Sequence, residues 1–162
     1  MNNFREEVMN LAREKLKMKK ADCKAESASD EVKEVMNSLL KTAELAVSFY
    51  NQVAGDEGLT VYGLSEELLA LFLNLPGKRV GFCLIAPERF VVFLDDEPGQ
   101  VVVFGKNRRN SGSGENVLTR ARQLIKVSFA KTEDGYLLKD NTGSVLDPEE
   151  MIIHIIRWAV SE

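Results

Sequence analysis

The densest group of chemically capable side chains lies in KNRRNSGSGENVLTRARQLIK, residues 106–126. Lys106, Arg108, Arg109, Arg120, Arg122 and Lys126 stand there against one acid, Glu115, around a small Ser/Gly core. Such a cluster suits an extended anion, either the phosphates of a nucleic acid or an acidic protein surface. The whole chain carries −4, so the segment is a positive island on an acidic molecule. That overall balance argues against a dedicated nucleic-acid binder. Nucleotide cradling does not follow either. The pattern GxxxxGK[ST] is absent, and the segment leads into a strand, whereas a phosphate loop hands its anion to a helix N-terminus. The stretch also lacks aromatic residues on which bases would stack. The plainest reading is a solvated connection between edge strands, with Lys and Arg guarding the edge against pairing. An acidic protein partner and a phosphate backbone are the alternatives.

Other candidates for chemistry are weaker. His154, the single histidine, falls on the polar face of a helix with Glu150 and Arg157. It has no orienting group and no nucleophile at a readable spacing. Cys83 lies between Phe82 and Leu84 in an apolar run, a setting that keeps a thiol protonated. Cys23, next to Lys24, is the more reactive of the two cysteines. Asp95, Asp96 and Glu97 offer oxygen ligands but lack a calcium-loop spacing, and the adjacent Pro98-Gly99 turn explains their polarity. Asp140-Asn141-Thr142-Gly143 also reads as a turn. We therefore expect no catalytic residues, no metal and no cofactor. An enzyme is the less favoured class, and its site would have to converge from distant segments.

Composition bounds the class. An apolar fraction of 44% over 162 residues is that of an ordinary globular chain with a core of its own. Two cysteines sixty residues apart imply neither a disulfide framework nor a zinc site, and a reducing compartment fits. MNNFREEVMNLAREK is amphipathic and charged, unlike a secretory leader. GLSEELLALFLNL is too short and too acidic to span a bilayer. A cytoplasmic protein with no membrane span is expected.

The elements that position these residues follow from periodicity. Residues 3–18 predict a helix with Phe4, Val8, Leu11 and Met18 on one face. Acids stand at its start and Arg13, Lys15, Lys17, Lys19 and Lys20 at its end, complementing the macrodipole. Residues 20–28 read as a hinge. Ser29 then caps a long helix to about Ala54, with Val32, Met36, Leu39, Ala43, Ala46, Tyr50 and Val53 in a heptad-like stripe. That stripe suits either a sheet or a second copy. Ser65 caps a short helix, apolar on every side and so buried on more than one. Three apolar strands follow, KRVGFCLIA, RFVVFLDD and QVVVFG. Their continuous rather than alternating apolarity requires cover on both sheet faces. Beyond the basic stretch, Ile125, Val127 and Phe129 alternate with polar residues, and Asp134-Gly135 marks a hairpin into YLLKD. Asp147-Pro148-Glu149-Glu150 starts a last helix, whose buried side is expected to carry Ile152, Ile153, Ile155, Ile156, Ala159 and Val160.

The expected fold is α+β: a five-stranded, mainly antiparallel sheet packed with N-terminal helices and a C-terminal helix. Residues 1–28 form an amphipathic helix and hinge and residues 29–162 a single α+β domain, unless one domain spans 1–162. The expected function is a non-catalytic protein-interaction or assembly module, with a protein partner or itself, as a homodimer. The alternative is weak, sequence-independent nucleic-acid binding through Lys106, Arg108, Arg109, Arg120, Arg122 and Lys126. On that alternative, binding to a mixed-sequence duplex falls with salt and disappears when Arg108, Arg109, Arg120 and Arg122 are all changed to Ala. Unchanged affinity in the quadruple variant would sink it.

Overall fold

In the computed structural model of the chain, the described residues are 6–13, 30–73, 79–108 and 121–161. The expected hinge at 20–28, the Ser29 cap, the SGSG segment and the side chains of Leu71, Phe72 and Leu73 lie outside them. Residues 6–13 form helix α1. The remaining helices are α2 (Asp30–Ala54), α3 (Glu66–Leu73) and α4 (Pro148–Val160). The strands are β1 (Thr60–Leu64), β2 (Gly81–Ile85), β3 (Arg89–Asp95), β4 (Gln100–Asn107), β5 (Arg122–Thr132), β6 (Gly135–Lys139) and β7 (Val145–Leu146). No helix among the described residues is long and apolar enough to cross a membrane.

The α+β class holds, with an antiparallel sheet flanked by helices. The sheet has seven strands, not five, and they follow one another in chain order from β1 to β7. The two unforeseen strands are its edges. β1 is the five residues TVYGL between an acidic turn and the Ser65 cap, with no residue fully buried. β7 is only two residues long. β7 is too short to show a period, and TVYGL carries no strict alternation of apolar and polar residues. Their positions also correct the reading of the basic stretch: β4 and β5 are interior strands, so Lys106, Arg122 and Lys126, which lie on them, guard no edge.

Apolarity on both sides of β2–β4 explains the layering. Phe82, Leu84, Val91, Phe93, Val101 and Val103 point to one face and pack with Val35, Leu39, Ala43, Ile152 and Ile155 of α2 and α4. The alternate residues Cys83, Phe90, Val92, Leu94, Val102 and Phe104 point to the other, where Leu69 of α3 joins them. At the centre of the first face Phe82 stacks on Phe93, ring centroids 4.2 Å apart. A register shift between Val103 and Phe104 opposes Val103 to Ile125 and Phe104 to Gln123. Leu124 is the extra residue, and this bulge turns it onto the helical face beside Gly105 and Trp158.

Local chemistry ends the elements where the sequence indicated. Asp147 caps α4 by accepting from the Glu149 amide at 3.1 Å, with Pro148 in the first turn. The Ser65 hydroxyl accepts from the Leu68 amide at 3.2 Å, and Leu64 packs into the cluster around Leu69. Asp140 Oδ1 accepts from the Thr142 and Ser144 amides at 2.8 and 3.0 Å, closing the turn into β7.

Two long-range clasps hold α2 and α4 to the sheet. Tyr136 of β6 donates its hydroxyl to Glu34 of α2 at 2.6 Å. Arg89 of β3 stands over the Trp158 ring, 4.7 Å from its centroid, and donates to the Trp158 carbonyl at 2.5 Å and the Ser161 hydroxyl at 2.6 Å. A cation on the last carbonyls of a helix also suits its dipole. Trp158 lies so close to the sheet that a methyl group on Gly105 would come within 2.5 Å of its ring. Gly105→Ala is therefore expected to cost about 1–3 kcal/mol through overpacking. Urea denaturation followed by the fluorescence of Trp158, the one tryptophan, measures it, and an unchanged midpoint would refute this account of the contact.

Candidate functional site

Four of the six basic residues are described, and each of the four has its own surroundings. Lys106 is only 4% exposed, buried within the sheet's interior strand. Arg108 is exposed but turns back on the β2–β3 connection, donating to the Ala86 and Pro87 carbonyls at 3.2 Å each. Lys126 pairs with Asp96 at 3.0 Å. That hydrogen bond holds the ammonium pKa above its ordinary value. Arg122 is exposed on β5. Arg109 and Arg120 lie outside the described residues.

Asp95 and Asp96, before the β3–β4 turn, are likewise committed to the fold. Asp95 is buried, accepts from the Val80 amide at 3.0 Å and faces Arg79 at 3.7 Å. Burial raises its pKa, while Val80 and Arg79 pull in the opposite direction. Burial likewise raises the pKa of Cys83. His154 is exposed on α4. Among the described residues no three His, Cys, Asp or Glu side chains gather as a metal site would require.

The concave feature with the strongest claim lies on the outer side of the helical layer. Thr42, Leu45, Ala46, Phe49 and Tyr50 of α2, with Glu149, Ile152, Ile153 and Ile156 of α4, line a groove of about 480 Å³. Its base is firm: Ile152 is buried, and Ala46, Tyr50 and Ile156 pack against the core. Its walls are open, with Leu45, Phe49 and Ile153 each more than half exposed, at 57%, 59% and 51%. The Thr42 hydroxyl donates to the Ser38 carbonyl one turn back at 3.0 Å. Among the described lining residues Glu149 is the one carboxylate, with no thiol, imidazole or amine beside it. This mainly apolar set of groups suits the grip of an apolar surface.

The helical period explains the groove. α2 carries two apolar stripes. Val32, Val35, Met36, Leu39, Ala43 and Val47 are buried against the sheet. Leu45, Phe49 and Val53 recur every four residues on a second, outward stripe. The sequence puts Val53 in the heptad-like stripe that suits either a sheet or a second copy; at 92% exposed it does not pack on the sheet. The expected buried side of α4 included Ile153 and Val160, and both are exposed. Leu45 and Phe49 lie outside the expected stripe, although their four-residue spacing stands in the sequence beside Ala46 and Tyr50.

Comparison of the chain with protein-family models, curated proteins and solved structures yields no match.

The Tyr136–Glu34 clasp that ties α2 to the sheet makes stability pH-dependent. The Glu34 carboxylate, as hydrogen-bond acceptor, pushes the phenol up to about 12. The protonated phenol is thus favoured in the folded chain. Its contribution is complete below the ordinary tyrosine value of about 10 and is lost as pH rises towards the folded value. Wild-type stability is expected to fall more steeply than that of Tyr136→Phe across that alkaline window. Urea titrations at a series of pH values test this, and parallel curves for the two proteins would contradict it.

Proposed function

We propose that this protein is a non-catalytic interaction or assembly module that engages a protein partner through the α2–α4 groove. The observation that carries the reading is the exposed apolar trio of Leu45, Phe49 and Ile153 above a packed base. Single exposed apolar residues need no explanation, but a contiguous set lining a concavity marks a binding surface. A groove between two helices accommodates a further amphipathic helix, whose anchors at i, i+3 or i+4 and i+7 replace water along the seam. Leu45, Phe49 and Ile153 would form the centre of that contact, with Glu149 at its charged end. The free Cys83 thiol fits a reducing, cytoplasmic setting.

A photoreactive phenylalanine analogue at Phe49, introduced in living cells, tests the reading. It is expected to give discrete adducts with a partner chain, a second copy included. The same group at Lys131, exposed on the β5–β6 hairpin, is expected to give none. Adducts at Phe49 should also vanish when Leu45→Asp is added to a chain that remains folded by circular dichroism. Equal labelling at the two positions, or labelling insensitive to Leu45→Asp, would overturn the proposal.

A further inference from the structure

We infer that the α2–α4 groove receives helix α1 of a second copy of this chain, and that the exchange is reciprocal. This rests on the reading of the groove as an interaction surface. The first observation concerns α1 itself. All eight described residues of the helix, 6–13, are exposed, among them Val8, Met9 and Leu11. Val8 and Leu11 are three apart and share a face. One chain thus carries an apolar helical face without cover and an apolar groove between helices. These are complementary surfaces that the single chain leaves unjoined.

Length and charge agree. The α4 residues lining the groove run from Glu149 to Ile156, about two helical turns, and the described part of α1 is long enough to run beside all of them. Along the described part of α1, Glu6 and Glu7 stand about two turns before Arg13. α4 has Glu149 and Glu150 in its first turn and Arg157 in its last. Laid antiparallel, Arg13 meets the two carboxylates of α4, Glu6 and Glu7 meet Arg157, and the helix dipoles oppose. Laid parallel, like charges meet at both ends. The pairing therefore has a preferred direction.

Exchange also closes. Two chains each giving one helix and receiving one form a two-fold assembly with both grooves filled and no helix left over. Sixteen residues lie between Arg13 and Asp30 in the sequence, a length of chain that allows reach to a neighbouring molecule.

Light scattering behind size exclusion, on the full chain at tens of micromolar, is the first test, and twice the chain mass is expected. Leu11→Asp removes the helix face and Phe49→Asp the groove. Each should weaken the dimer by about tenfold or more. A mixture of the two variants retains one intact helix-in-groove contact, so it should form a heterodimer that neither variant forms alone. Arg13→Glu should weaken the dimer, and Glu149→Lys added to it should restore it. A monomeric wild type overturns the inference, as does a dimer indifferent to Leu11→Asp or a mixture that stays monomeric. If Phe49→Asp breaks a dimer that Leu11→Asp leaves intact, the inference fails while the groove remains an interface. If the chain is monomeric and Phe49 also yields no specific adduct, both readings fail.

Discussion

Strands β2, β3 and β4 are apolar on both sides, and the remaining architecture answers that constraint. A strand presents alternate residues to opposite faces. When every residue is apolar, neither face tolerates water. Phe82, Leu84, Val91, Phe93, Val101 and Val103 demand cover on one side. Val92, Leu94 and Val102 demand it on the other. The stacked Phe82 and Phe93 rings fill the middle of the first face, so two helices must lie across it. α2 and α4 do so, and α3 brings Leu69 to the second face. Fully burying each such side chain is worth about 1.5–3 kcal/mol, which makes this arrangement dominant over any surface ion pair.

Covering the sheet requires only one side of α2, and α2 is apolar on more than one. Its surplus, Leu45, Phe49 and Val53, has no sheet to meet and remains in solvent. The groove is the consequence: two helices fixed on a common floor, each with apolar residues on the flank the sheet does not use. The clasps to Tyr136 and Arg89 matter because they hold the two helices to that floor from different strands. The groove is therefore built on regular elements held in place by the sheet behind them.

Much of the fold was legible because its signals are local. Asp147 followed by Pro148 starts α4, Gly55 with φ +60° follows the end of α2, and the Pro98-Gly99 turn joins β3 to β4. Continuous apolarity in the central strands required two-sided cover, and the structure supplies it. The candidate site was less legible. Lys106 looked like part of a basic patch because its neighbours in sequence are basic. Its neighbours in space belong to an interior strand, where it is buried. Asp95 looked like a charged turn tip, and it is instead a buried acceptor for Val80. Ile153 looked like core because it is apolar and adjoins core residues of α4.

The sequence by itself determined the class of each long element, the turns and caps between them, and the need to shield both faces of the sheet. These depend on residues within a few positions of one another, where backbone geometry sets which side chains share a face. Tertiary structure alone decided which strands are edges, where the β4–β5 register slips, which charges are consumed by the fold and which apolar stripe of α2 stays open. The reason is that exposure is a property of pairing between distant segments. A leucine in a helix carries the same local signal on either stripe, and only the sheet behind α2 separates the buried Leu39 from the exposed Leu45.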